Sequence, residues 1–199
     1  MENPGTRQEI KNMFAAIVER IKGLALKPAG EWGKINSEEN GVRALGLGWI
    51  LPLAAVPALA SLIGYGVIGV SLGGFATLRD FSLGFAQAMV SLSVSVGAVF
   101  LIALAVDQLA PYFGAEKNFN KSLALVTYTW VPGWLVGVLN IIPALSVLVL
   151  LASLYGFYLM YLGIGPLKKV APEKVLPYFA SVVGVTILAF IVLGLIMTS

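Results

Sequence analysis

The sequence predicts an all-α, polytopic membrane protein: five transmembrane helices preceded by an N-terminal amphipathic helix. Three observations carry this. The 199-residue chain is 58% hydrophobic and only 12% charged, with mean hydropathy +0.89. A soluble domain is about half apolar and about a quarter charged, so lipid rather than water must cover most of this surface. Five apolar stretches follow one another, each near the roughly 20 residues that span a bilayer. Finally, the basic residues, Arg79 apart, gather on alternate sides of those stretches.

The first 41 residues are expected to form a cytoplasmic unit, an amphipathic helix and a polar connector, and residues 42–199 a five-helix transmembrane domain. From Thr6 to Leu26 the apolar residues Ile10, Met13, Phe14, Ile17, Val18, Ile21, Leu24 and Ala25 recur at helical spacing, covering an arc of about 140°. Thr6 and Glu9 fit a capping box. Lys11 and Lys22 flank one edge of the apolar arc and Arg20 the other, where basic side chains reach lipid headgroups. The helix is therefore expected either on the membrane surface or packed against the ends of the spans. Lys27 to Gly41 reads as polar and turn-rich, with Trp32 and Ile35 its large apolar residues. No signal peptide is visible before Lys27, so the first span is expected to direct its own insertion.

The spans are expected at about Ala44–Val70, Leu83–Ala110, Leu123–Leu139, Ala144–Leu162 and Leu176–Met197. Pro52 and Pro57 should kink the first and Pro132 the third near its start, with the freed carbonyls facing protein. The short Ile141–Pro143 connection predicts a tight antiparallel hairpin of the third and fourth. Ser91, Ser93 and Ser95, with Gly64, Gly66, Gly69, Gly73 and Gly74, read as small residues for close helix contact. Arg7, Lys11, Arg20, Lys22, Lys27, Lys34 and Arg43 precede the first span. Lys117 and Lys121 follow the second, and Lys168, Lys169 and Lys174 follow the fourth. Five spans put all of them on one side, which the positive-inside rule makes the cytoplasm. The N-terminus is then cytoplasmic, the C-terminus outside, and the chain a multi-pass protein of the cell membrane.

No Cys and no His occur, which removes thiolate nucleophiles, imidazole bases and Cys/His metal sites. The acids are scattered, no base activates a hydroxyl, and no charge falls near a span centre. No catalytic residue, cofactor or metal is expected, and the chain is not read as an enzyme. Asp107, a turn before Pro111, is expected to pair with Lys121, Arg43 or another interfacial base, the rival role being a ligand for a partner or cation. Tyr155, Tyr158 and Tyr161, three apart, read as a packing seam ending in the interfacial aromatic belt, or as the wall of a polar groove.

Several stretches together resemble the Yip1 domain family. They are Leu51-Pro52-Leu53 with Pro57; Asp107 with Ala110-Pro111-Tyr112-Phe113-Gly114 and Phe119; and Tyr128 with Val131-Pro132. Tyr155 with Tyr158, Tyr161-Leu162-Gly163, Lys168-Lys169, Pro172, Lys174 and Tyr178 complete the set, and Pro28 and Trp32 match prokaryotic members. The resemblance implies a five-helix bundle with a cytoplasmic N-terminus. Eukaryotic relatives are associated with vesicle traffic and Rab-type GTPases, and carry a long cytosolic N-terminal region that this sequence lacks. The interaction candidates are Asp107, Pro111, Phe113, Gly114, Lys117, Tyr155, Tyr158, Lys168 and Lys169. The expected function is a non-enzymatic membrane adaptor or scaffold that organises the bilayer; the alternative is a small transporter or channel for a neutral or lipidic solute. Membrane lipids are the expected partners, followed by a membrane or cytosolic protein or a second copy of the chain; nucleic acid is not expected.

Overall fold

The computed structural model describes residues 4–39, 41–72, 76–78, 80–142 and 145–198. Gly73, Gly74, Arg79 and Ser199, which charge counting assigns to the outer side, lie outside these, as do the side chains of Ile10, Met13 and Phe14. Proline opens both N-terminal helices. Its fixed φ suits the first helical turn, and its missing N–H has no partner to lose there. Helix α1 runs Pro4–Leu26, so Thr6 lies inside the helix, and the side chains of the expected capping box, Thr6 and Glu9, lie outside the described residues. Helix α2 runs Pro28–Ser37, where the turn-rich reading is corrected. Gly30 and Gly33 disfavour helix by about 1 kcal/mol each. Full burial of Trp32 and Ile35, at about 1.5–3 kcal/mol per side chain, outweighs them.

Among the described residues five helices are long and apolar enough to cross a membrane: Val42–Ile68, Phe81–Phe113, Phe119–Ile141, Val147–Lys168 and Pro172–Val192. The first combines α3 (Val42–Leu45) and α4 (Leu51–Ile63) with π-helical turns at Gly46–Ile50 and Gly64–Ile68. The first π turn lies just ahead of Pro52, whose ring would clash with a carbonyl in a regular helix. Helix α5 (Phe81–Leu109) starts where the Asp80 carboxylate accepts from the Ser82 and Leu83 amides at 2.8 and 3.2 Å. Those bonds hold the exposed Asp80 carboxyl below its usual pKa, the Ser82 side chain contributing most.

Helix α6 (Phe119–Val136) starts on an Asn118 cap and tightens into a 3-10 segment, Gly137–Ile141. It starts earlier than its apolar stretch suggests, so Pro132 sits in its second half rather than near its start. Helix α7 (Ser146–Lys168) continues past Leu162 through Pro166, and α8 runs Pro172–Thr198. Between the first two spans β1 (Val70–Leu72) pairs antiparallel with β2 (Ala76–Leu78), Ser71 opposite Thr77. Hydropathy alone does not reveal this short ribbon. Gly69 enters it with φ +89°, so it turns the chain instead of packing helices.

Helix α6 is the centre of the bundle and α7 its most extensive neighbour, as the hairpin expectation required. Its apolar window is 61% buried against 17% for the fifth span. Glycines set the closest approaches. A Cβ on Gly84 would fall 2.7 Å from the Gly66 Cα, one on Gly137 2.7 Å from the Pro57 Cβ, and one on Gly156 2.7 Å from the Thr129 carbonyl oxygen.

Candidate functional site

The ends of the spans that carry most of the lysines form one connected structure. Asp107, on the last turns of α5, and Lys168, the last residue of α7, are both buried. Lys168 Nζ lies 3.2 Å from Asp107 Oδ1, 2.7 Å from Ser122 Oγ and 3.3 Å from the Asn118 carbonyl oxygen. Ser122 Oγ lies 3.1 Å from Asp107 Oδ1 and 3.1 Å from the Asn118 carbonyl. The second, third and fourth spans therefore meet at one ion pair. The fifth joins through Tyr178, whose hydroxyl donates to the Val106 carbonyl. A buried charge is costly unless paired and hydrogen-bonded, and this arrangement supplies both conditions. It is the ion pair expected of Asp107, with Lys168 as partner. Lys121 instead donates to the backbone carbonyls of Asn36 and Glu38 and ties α2 to α6.

The loop after α5 closes over this pair. Pro111 lies in a 3-10 turn, Ala110–Phe113, and Gly114 ends it at φ +67°. Phe113 stacks on Tyr178 with centroids 5.0 Å apart. The Glu116 amide donates to the Lys168 carbonyl at 2.8 Å, and its side chain pairs with Lys169 at 2.7 Å. That hydrogen bond, then the charge of Lys169, holds the exposed Glu116 carboxyl below its usual pKa. Lys117 donates to Gln108. Tyr112, 83% exposed, projects from the same turn.

A hairpin of α1 and α2 docks on the flank of α6 and α7. Trp32 fits where Gly163 has no side chain and meets Tyr128 edge-on at 6.4 Å. Gly23 leaves room for the Glu31 side chain. Arg20 bridges Glu31 and Glu38, and its guanidinium lies 5.6 Å above the Tyr128 ring. Burial works against this charge, but the bond to Glu38 and the neighbouring carboxylates leave its pKa raised. The tip of the hairpin is pinned by Tyr155, whose hydroxyl donates to the Leu24 carbonyl at 2.9 Å. Tyr155 lies thirteen residues before Lys168, about 20 Å along α7.

The structure thus brings together Asp107, Pro111, Phe113, Gly114, Lys117, Lys168 and Lys169. Tyr155 holds the hairpin tip, while Tyr158 and Tyr161 remain substantially exposed; the expected seam has one inward member. Sequence reasoning missed Ser122 and Asn118 as contributors to this end; it singled out Tyr178 only through the family resemblance, and Trp32 through that and as a large apolar residue of the connector. The periodicity of α6 extended backwards over Asn118 and Ser122 was the available signal. Among the described residues no three of Asp, Glu, His and Cys group closely enough to hold a metal ion.

Five apolar spans, four of them cross-bonded at one end, define a multi-pass membrane protein in contact with lipid. The Yip1 domain model matches residues 22–194, and the chain belongs to that family. The inner membrane protein YohC of two Escherichia coli strains is 23% identical over 180 residues, covering 88% of this chain and 92% of the relative. No solved structure matches.

Proposed function

We propose that the protein is a non-enzymatic membrane adaptor that organises one leaflet of the bilayer through its α1–α2 hairpin, with the basic end facing the cytoplasm. The observation that carries this is the position of the hairpin tip, clamped by Tyr155 well along the fourth span. Val18 and Leu26 are exposed on the hairpin, Leu26 at 78%, next to the exposed Lys22 and Lys27. Apolar and basic side chains exposed side by side suit the boundary between headgroups and acyl chains. The exposed Tyr158 lies on the same flank of α7, its ring 5.8 Å from that of Tyr155, as an interfacial aromatic does. Residues 4–26 then act as a surface helix, and residues 42–198 as the bundle that positions it. Tyr112 and Lys117, on the loop after α5, offer a protein partner a surface beside the buried pair.

The reading is tested by reconstituting the full chain into anionic vesicles and measuring vesicle diameter and acyl order against protein content. Wild type should shrink the vesicles and lower acyl order; Val18→Glu with Leu26→Glu should lose both effects. Identical curves would overturn the reading. Passage of a neutral or lipidic solute, the alternative, draws on a different part of the molecule.

A further inference from the structure

We propose that a cavity among the spans is a binding site for an uncharged, bilayer-soluble molecule carrying a carbonyl or alcohol oxygen. The cavity is about 340 Å³ and every span contributes to its wall. Thr129, on that wall, lies ten residues into α6, about 15 Å along the helix. Six polar side chains converge there: Ser91 and Ser95 from α5, Thr129 and Trp134 from α6, Ser153 from α7 and Thr186 from α8. Ser91 and Ser95, read from the sequence as helix-packing residues, therefore face the cavity.

Lipid does not reward a hydroxyl, so each needs a partner from the protein or a ligand. Ser153 and Thr186 donate to the carbonyls one turn earlier, Val149 at 2.9 Å and Val182 at 2.8 Å. Thr129 Oγ1 and Trp134 Nε1 are buried and have no hydrogen-bond partner. Leaving such groups unpaired is unfavourable, and an oxygen acceptor is what each of them lacks. Among the described residues no charged side chain lines the cavity, so an ion would meet no counter-charge. Trp130, Phe157 and Phe190 supply apolar, aromatic wall, which suits a carbon skeleton. The ligand is therefore a neutral amphiphile, and the site is independent of the α1–α2 hairpin and of the bilayer-organising reading.

The test uses the full chain in nanodiscs of ether-linked phospholipid, which brings no ester carbonyl. Quenching of tryptophan fluorescence by 11-bromo-2-undecanone is compared with quenching by 1-bromoundecane. The ketone should quench saturably, at about tenfold lower concentration than the alkane, and unbrominated 2-undecanone should relieve it. Thr129→Val should weaken the ketone about fivefold, the worth of one hydrogen bond, while Thr129→Ser keeps the hydroxyl and the affinity. Trp134→Phe, with Trp130 left as reporter, should weaken the ketone to a similar extent and gives a second answer if the valine variant misfolds. Ester-linked phospholipid separates the sources: weaker ketone quenching assigns the site to a lipid ester, and unchanged quenching assigns it to a free solute. Equal, unsaturable quenching by ketone and alkane in the wild type would overturn the proposal, as would ketone affinity unchanged in both Thr129→Val and Trp134→Phe.

Discussion

At the basic end of the bundle Asp107 and Lys168 are buried and paired; Ser122 bonds to both, and Lys168 also donates to the Asn118 carbonyl. In the middle, Thr129 and Trp134 are buried to a similar degree, bear no charge, and have polar atoms without partners. The difference follows from the cost of desolvation. A charge removed from water requires an opposite charge and several hydrogen bonds. A hydroxyl or indole N–H costs about 1–3 kcal/mol when unpaired, which a folded bundle can carry. The buried charges are therefore fully partnered, while the neutral groups Trp32 Nε1, Thr127 Oγ1, Thr129 Oγ1 and Trp134 Nε1 are left unpaired.

Breaking the ion pair should have the largest effect. Lys168→Met leaves Asp107 buried and uncompensated and should cost about 3–5 kcal/mol, read as a lowered Tm in mild detergent. Asp107→Leu combined with Lys168→Met should recover most of that loss, because the two sites couple. Gly84→Ala should cost about 1–3 kcal/mol by forcing α5 from the Gly66 backbone. Gly97→Ala, with nothing within 4 Å of its added Cβ, should be neutral or slightly stabilising. Tyr155→Phe removes the hydroxyl that holds the hairpin tip and should cost about 1 kcal/mol, seen as faster amide exchange in α1 and α2 with the spans unchanged. The exposed Glu116–Lys169 pair should matter least. Because the Glu116 pKa is lowered in the fold, its contribution is present above the ordinary carboxylate pKa and fades as pH falls through the lowered value. Glu116→Gln should abolish that acid-side slope and lower the neutral-pH Tm only slightly, because the pair is exposed.

Hydropathy and charge made the five spans legible, because lipid imposes a length and a polarity on every one of them. The same signals hid the basic end. Lys168 follows Pro166 and precedes Lys169, so the stretch reads as a loop; in the structure α7 runs through that proline and carries Lys168 into the core. Asp107 announced an ion pair, but a partner 61 residues away has no local sequence signature. Gly30 and Gly33 disguised α2, whose helicity rests on the tertiary burial of Trp32 and Ile35. The cavity was illegible for a related reason: Thr129, Ser153 and Thr186 come from different helices, and only packing brings them together.

The position of the α1–α2 hairpin in the leaflet is the central claim, and the absence of cysteine from the sequence allows a direct measurement. A nitroxide placed at Leu26→Cys and another at Lys117→Cys can be compared in anionic nanodiscs by their collision rates with oxygen and with a water-soluble nickel chelate. The account predicts an oxygen-dominated, membrane-boundary signature at position 26 and a nickel-dominated, aqueous one at position 117. An aqueous signature at both would contradict it.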